Sequence, residues 1–489
     1  MAITSDQDEM TSIRECTQYI DGQMSNDGAG EWFDVINPAT GRVVARAPEA
    51  GTTVVDRAVD AARRAWPRWR GTNPFERARL LHGIAAEIEN DERAMATTIT
   101  QEMGKPLAEA LGEVRKLARA FHYYAEEAVR VFGTTIPNEE NGFTSIVERE
   151  PVGVVAAIAP WNYPVELIGW KLAAALAAGC TIIVKPSEYT PSSAVALFRC
   201  VHAAGIPAGV ANLVTGTRET GRLLVGHRDI NKVAFTGSQQ AGEDIYRTVS
   251  GITSLSLELG GSCPIVVTRH ADLERAVAGT LRRSFRNAGQ ICIAINRVYV
   301  QESVYAPFVE ALAARAASLV VADGLIHESA DLGPMATHAG IAKVQRHVQD
   351  ARERGARVLC GGGRQGGADG LFHAPTVLAD CTSEMLVMHE ETFGPVIGVA
   401  PFATLDEAIT LANGTPFGLA AYAYTNDLRE TFALGRSLEC GNVAINNVDA
   451  GIMNAPYGGR KQSGIGYEHG HEGLEGYLHL KHLRVYHGA

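Results

Sequence analysis

The stretch "NAGQICIAINR", residues 287–297, holds one thiol, Cys292, with Gly289 and Gln290 before it and Ile291 and Ile293 on either side. A cysteine in such apolar surroundings is most often an inert core residue. Two other stretches carry groups that could give it work. "LELGG", residues 257–261, ends an apolar run on Glu258, and a carboxylate is expensive there unless it is used. Burial would raise its pKa and suit it to general-base catalysis; the alternative is a paired structural carboxylate. "APWNYP", residues 159–164, sets Asn162 between two prolines. That rigid backbone could present the amide to a developing oxyanion, or Asn162 could cap the following helix. The stretches thus offer a thiol, a candidate general base and a candidate oxyanion donor.

Two further stretches suit a dinucleotide. "FTGSQQAG", residues 235–242, reads as a strand-to-helix turn. Gly237 permits close backbone approach, and Ser238 with the helix N-terminus can meet a pyrophosphate. The spacing departs from G-x-G-x-x-G, so an ordinary turn fits it too. "VKPSE", residues 184–188, follows another strand and carries Lys185 and Glu188. An acid there can hold ribose hydroxyls; otherwise the two form a solvated ion pair. If Glu188 holds the ribose, its charge repels a 2′-phosphate and favours NAD over NADP.

These groups need a frame. Residues 53 to 130 are dominated by helical patterns. From Val152 buried strands alternate with helices: "VGVVAAIAP", then "LIGWKLAAALAAG", "CTIIVKP", "PSSAVALFRCVHAAG", "ANLVTG", "TRETGRLLVGH", "KVAFTG", "SQQAGEDIYRTVS" and "SLSLELGG". This alternation implies α/β architecture with a parallel, doubly wound, Rossmann-like sheet. A second alternating block starts near Gly260, and "GGGRQGGADG" within it reads as a surface loop.

The 489 residues suffice for two or three domains, and 46% hydrophobic with 20% charged residues is ordinary for a soluble globular chain. A net charge of −11, spread along the chain, argues against nucleic acid or an anionic membrane as the main partner. The acidic N-terminus lacks the apolar core of a signal peptide. Lys171 and Gly179 break the longest apolar region. None of the eight cysteines shows metal-ligand or CxxC spacing, so free thiols in a reducing cytoplasm and no metal are expected.

"PWNYP", "KPSE", "FTGS", "LELGG", "N-x-GQ-x-C", "EETFGPV" and "PYGGRKQSGIG" occur in this order. The chain thereby resembles the aldehyde dehydrogenase superfamily of the NAD(P)-dependent, non-acylating kind, from about residue 17 to its end. The resemblance implies Cys292 as nucleophile, Glu258 as general base, and Asn162 with the Cys292 N–H as oxyanion hole. Lys171 and Glu468 match positions associated with proton movement behind the base. Cofactor contacts would come from Ile158, Pro160, Trp161, Lys185, Ser187, Glu188, Gly237, Ser238, Leu259 and Gly260, with Glu391 and Phe393 on the nicotinamide ribose. Tyr467 stands where many members have arginine. The resemblance also implies a cofactor domain from 1–130 and 151–259, and a catalytic domain at 260–440. An oligomerisation arm would come from 131–150 and 470–489, and 441–469 would return to the cofactor domain and line the active site. A homodimer or homotetramer is expected.

"FRNAGQICIAINRVYVQ" looks most like succinate-semialdehyde dehydrogenases, which use an arginine six positions before the nucleophile. Arg286 occupies that position, with a helix-surface ion pair as its alternative role. Trp170 replaces a second arginine of those enzymes, and Gly451 aligns roughly with their substrate-loop serine. Tyr163, Leu167, Trp170, Ile291 and Ile293 suggest an apolar pocket wall, suited to aliphatic or aromatic aldehydes. The expected substrate is therefore an uncharged aldehyde, with an acidic semialdehyde as the alternative. A CoA-acylating enzyme would typically lack Glu258. A non-catalytic protein or a pure nucleotide-binding module would be free to lose Cys292, Glu258 or Asn162.

Overall fold

The computed structural model describes residues 13–366 and 370–488. Residues 1–12 of the expected cofactor domain, 367–369 of the expected Gly-rich loop and 489 of the expected arm lie outside the described residues. Two large sheets carry the fold. The first has eight strands in the order Gly464–Ile465, Ser254–Glu258, Lys232–Thr236, Val154–Ile158, Thr181–Lys185, Ala211–Leu213, Gln18–Ile20, Gln23–Ser25. Its five central strands run parallel. Strands such as "VVAAI" and "TIIVK" are apolar on both faces because helices cover both.

The chain enters this sheet's parallel part at Val154–Ile158, builds outward to Ala211–Leu213, then returns to the other side of Val154–Ile158 with Lys232–Thr236. The order of strands reverses between those two neighbours. Loops leaving their carboxyl ends must diverge, and that opens a crevice where α/β sheets bind ligands. "PWNYP" leaves one strand and "GSQQ" the other.

The second sheet has seven strands in the order Arg357–Cys360, Thr376–Ala379, Val396–Phe402, Ile295–Gln301, Cys263–Val267, Ala420–Tyr424, Asn442–Ile445, all parallel except the first. The switch from one sheet to the other falls between Glu258 and Cys263. A third sheet pairs Leu478–Tyr486 with Phe143–Pro151, and Phe143–Pro151 with Thr134–Ile136, both antiparallel. Among the described residues no helix is long and apolar enough to cross a membrane.

Helix Glu166–Ala178, "ELIGWKLAAALAA", is buried almost all round. Small alanines let it sit close against strand Val154–Ile158 and helix Leu107–Ala128. Ser238 caps helix Gln239–Thr248, its hydroxyl accepting from the Ala241 N–H at 3.3 Å.

Candidate active site

Cys292 lies between a short 3-10 turn, Arg286–Gly289, and strand Ile295–Gln301. Asn287, Ala288 and Gly289 are all left-handed, with φ of 53°, 52° and 69°. For Ala288 this costs on the order of 1–2 kcal/mol, and a hydrogen-bond web offsets it. The Asn287 N–H donates to the Glu109 carboxylate at 3.0 Å. Asn287 Nδ2 donates to the carbonyls of Asn162, at 3.1 Å, and Gln290, at 3.2 Å. Gln290 Oε1 accepts from the Ala336 N–H at 2.9 Å. All eight cysteines are free thiols, and only Cys292 and Cys360 are not fully buried. The Cys292 Sγ is 3.4 Å from the Tyr457 hydroxyl. Burial pushes the thiol up, to about 12, while the Tyr457 contact pulls it down. The thiol must therefore lose its proton as it attacks, and a base nearby would serve.

Glu258 ends strand Ser254–Glu258 at 3% exposure, and among the described residues neither carboxylate oxygen has a hydrogen-bond partner. Burial and the charge of Glu468 raise its pKa well above the usual carboxylate range, while Lys171 opposes them. An unpaired buried carboxylate is costly, which speaks for chemistry over structure. Lys171 Nζ donates to the Glu468 carboxylate and, at 2.5 Å, to the Thr236 hydroxyl. Both lie behind Glu258, since Thr236 pairs with it across the sheet.

Asn162 does not cap the following helix, whose N-cap is Val165. Its Nδ2 donates to the Gln290 carbonyl at 3.0 Å, which sets the amide beside the nucleophile loop. One of the two amide hydrogens is occupied there and the other is left for a ligand.

The crevice at the strand reversal is a cleft of about 910 Å³. Ile158, Pro160, Trp161, Lys185, Ser187 and Glu188 line it with Gly237. It shares Pro160, Trp161 and Gly237 with a second cleft of about 1080 Å³, which reaches Asn162, Cys292, Leu259, Ser238, Glu391 and Phe393. The two form one channel from the sheet's end to the thiol. Lys185 Nζ lies 3.9 Å from the Glu188 carboxylate, and burial lowers its pKa. A Cβ on Gly260 would fall 2.8 Å from a Glu391 carboxylate oxygen, so a larger residue there would push that carboxylate aside. Glu391 also accepts from the Gly261 N–H at 3.0 Å, and burial raises its pKa. The Trp161 and Phe393 rings meet edge to face with centroids 5.6 Å apart. A long groove with an acid near each end and a capped helix N-terminus between them fits a dinucleotide with two ribose groups.

The expected substrate residues are less gathered. Leu167 lines the cleft beside Cys292. Tyr163 is buried under the Lys105 ammonium, 3.7 Å from the ring centroid. Trp170 packs edge to face on His469 at 4.0 Å, and both rings contact Tyr457. Ile291 is buried, and the Ile293 carbonyl accepts from the Tyr422 hydroxyl at 2.9 Å. Arg286 faces Glu109 at 3.9 Å, with 22% of its side chain exposed. Gly451 lies against Tyr457, where a Cβ would come 3.1 Å from the ring. Tyr467 is 53% exposed.

Sequence reading missed Tyr457, His469, Lys343, Lys105 and Glu113. Lys343 lines the thiol end of the channel, and its charge lowers Glu391. A lysine on the otherwise ordinary amphipathic helix His338–Glu353 gives no signal alone. Tyr457, inside "PYGGRKQSGIG", had one: it is an aromatic residue in a stretch already marked. Among the described residues no cluster of three or more His, Cys, Asp or Glu could hold a metal ion.

Known proteins match this chain throughout its length. The aldehyde dehydrogenase family profile covers residues 24–483. The chain is 43% identical to 3-sulfolactaldehyde dehydrogenase of Pseudomonas putida, over 96% of this chain and 97% of that protein. It is 42% identical to the NADP(+) succinate-semialdehyde dehydrogenase of Escherichia coli, over 95% and 97%. The NAD+ complex of a betaine aldehyde dehydrogenase point mutant from Staphylococcus aureus superposes with a TM-score of 0.94 at 35% identity, covering 97% of this chain and 98% of that one.

Proposed function

The chain belongs to the aldehyde dehydrogenase family, and we propose that it oxidises an aldehyde to its carboxylic acid through a covalent intermediate on Cys292, with NAD as the preferred cofactor. One observation carries the reading: Glu258 is buried with both carboxylate oxygens unpartnered, in the fold that also sets Cys292 and Asn162 on one cleft.

Cys292 attacks the carbonyl carbon as its proton passes to a nearby base. The oxygen that becomes negative is met by Asn162 Nδ2 and the Cys292 N–H. When bound, nicotinamide supplies the hydride acceptor. Loss of hydride from the thiohemiacetal carbon leaves a thioester on Cys292. Glu258 then takes a proton from water, the water oxygen attacks the thioester carbon, and the thiolate leaves. The Glu258 proton then leaves toward the Glu468 carboxylate, which the Lys171 ammonium holds in place behind the base, and Glu258 returns to its charged form. Trp161, Lys185, Ser187, Glu188, Ser238, Glu391 and Phe393 hold the dinucleotide, and the Glu188 charge disfavours a 2′-phosphate. The Escherichia coli relative, which is named for NADP(+), makes cofactor choice a necessary part of the assay.

For the substrate, the expectation of an uncharged aldehyde gives way to a short aldehyde with a distal acidic group. Two relatives are named for acid-bearing aldehydes, and among the described residues the Arg286 guanidinium makes no ion pair closer than the 3.9 Å Glu109 contact. The Trp170–Tyr457–His469 wall favours the second reading, an uncharged aldehyde.

The remaining organisation follows the same proposal. Residues 13–130 and 151–259 form the described part of the cofactor domain, 260–440 the catalytic domain, and 441–469 a return segment at the active site. Strand Leu478–Tyr486 has one unpaired edge, and Leu480, Leu483, Val485 and Tyr486 on it are exposed. Such an edge invites a second copy, so the arm of residues 131–150 and 470–489 builds a homodimer or homotetramer. Eight free thiols suit a reducing cytoplasm.

The test is reduced-nicotinamide formation with succinate semialdehyde and an uncharged aldehyde of similar length, with NAD and NADP, with and without coenzyme A. Turnover to the acid without coenzyme A is expected. Dependence on coenzyme A would establish the acylating chemistry instead, and no turnover with any aldehyde would refute the enzyme reading.

A further inference from the structure

Lys105 sits in the link between helices Glu92–Met103 and Leu107–Ala128. Gly104 before it has φ +90° and lies so close to Pro334 that a Cβ would come within 2.5 Å. The link is thereby pinned and the lysine turned inward: the Lys105 and Glu113 side chains are both 0% exposed. An ammonium has three N–H donors, and three acceptors meet this one. They are Glu113 Oε2 at 2.6 Å, the Asn162 carbonyl at 2.7 Å and the face of Tyr163 at 3.7 Å. No donor remains for substrate or cofactor. The other oxygen, Glu113 Oε1, accepts from the N–H groups of Val165, at 3.0 Å, and Glu166, at 3.2 Å. One buried ion pair thus grips the main chain on both sides of Tyr163. The Asn162 carbonyl also accepts from Asn287 of the nucleophile loop, so it joins that loop to the clamp.

We propose that Lys105 is a positioning residue for Asn162: with Glu113 it fixes the Asn162 peptide and so aims the side-chain amide at the oxygen that becomes negative when Cys292 attacks. This rests on the reading of Asn162 as oxyanion donor. A buried ion pair is weak grounds for a stability role, since apolar replacements of the whole pair are often neutral. Fixing a donor to within a fraction of an ångström is a reason to keep one.

The test is a cycle of three proteins against wild type: Lys105→Met/Glu113→Gln, Asn162→Ala, and all three changes together. Removing both charges avoids an unpaired buried carboxylate, and the amide oxygen introduced by Glu113→Gln can still accept the loop N–H groups. In the Lys105→Met/Glu113→Gln protein kcat, counted per alkylatable active-site thiol, should fall about 30- to 100-fold. The KM for NAD and the melting temperature should stay near wild type. In the Asn162→Ala background the same two changes should cost less than about threefold. A merely structural role would lower the number of active sites and leave kcat per site unchanged, which overturns the proposal. So would equal losses in both backgrounds. Full activity of Asn162→Ala would overturn the oxyanion reading and the proposal with it. Full activity of the Lys105→Met/Glu113→Gln protein beside an impaired Asn162→Ala would overturn the proposal alone. If the doubly substituted protein does not fold, Glu113→Gln alone enters the same cycle. A several-fold loss of kcat is then expected, and a wild-type kcat overturns the proposal.

Discussion

Replacing Arg286 by alanine separates the two substrate readings. The guanidinium is 22% exposed at its side chain and meets Glu109 at 3.9 Å, too far for a hydrogen bond. Glu109 itself is engaged by the Asn287 N–H. A carboxylate on the substrate would gain a bidentate, charge-assisted contact worth about 1.5–3 kcal/mol. That corresponds to roughly one to two decades in kcat/KM. The Glu109 charge beside Arg286 offsets part of the gain. Truncation also removes the counter-ion of Glu109 and can disturb Asn287, but that loss falls on every aldehyde alike. The measured quantity is therefore the ratio of kcat/KM for succinate semialdehyde to that for an uncharged aldehyde of similar length. The ratio should fall about 10- to 100-fold in Arg286→Ala. Equal losses for both aldehydes would refute Arg286 as the anchor and leave the aromatic wall to select an uncharged substrate.

Removing the Tyr457 hydroxyl, by Tyr457→Phe, deletes the contact that pulls the Cys292 pKa down. The thiol should then titrate higher, leave less thiolate at a given pH, and react with iodoacetamide about two- to tenfold more slowly. Faster alkylation would contradict the assigned contact. Glu188→Ser should raise kcat/KM with NADP relative to NAD by about tenfold, because a like charge near the 2′-phosphate is removed; an unchanged ratio would show that Glu188 does not face that group.

Much of the frame was legible in the sequence because parallel strands buried on both faces read as apolar runs. "VVAAI", "TIIVK", "KVAFT" and "CPIVV" all form strands. The residues proposed for the chemistry stood out for the opposite reason: Glu258 and Asn162 are polar groups in stretches that otherwise read as core or rigid loop. Contacts between distant residues were not legible. Tyr457 meets Cys292 across 165 positions, Glu109 meets Asn287 across 178, and Lys105 meets Asn162 across 57. Such pairs exist only once helices have packed, and no local pattern encodes them. The left-handed backbone at Ala288 was equally hidden, since alanine has no preference for it. The sequence pointed to an uncharged aldehyde because Trp170 replaced one expected arginine; Arg286, whose guanidinium makes no ion pair closer than 3.9 Å among the described residues, supports the acid-bearing aldehyde proposed above.

In the proposed mechanism the acyl group is carried on Cys292 and its release depends on Glu258. Glu258→Gln keeps the shape of the base and removes its ability to take a proton, so the thioester should accumulate. Mixed with aldehyde and NAD, this variant should release a burst of about one reduced nicotinamide per active subunit and then turn over slowly. Acid quenching and peptide mass analysis should find the acyl group on the peptide that contains Cys292. Steady turnover at the wild-type rate, or an acyl group on a different residue, would contradict the account.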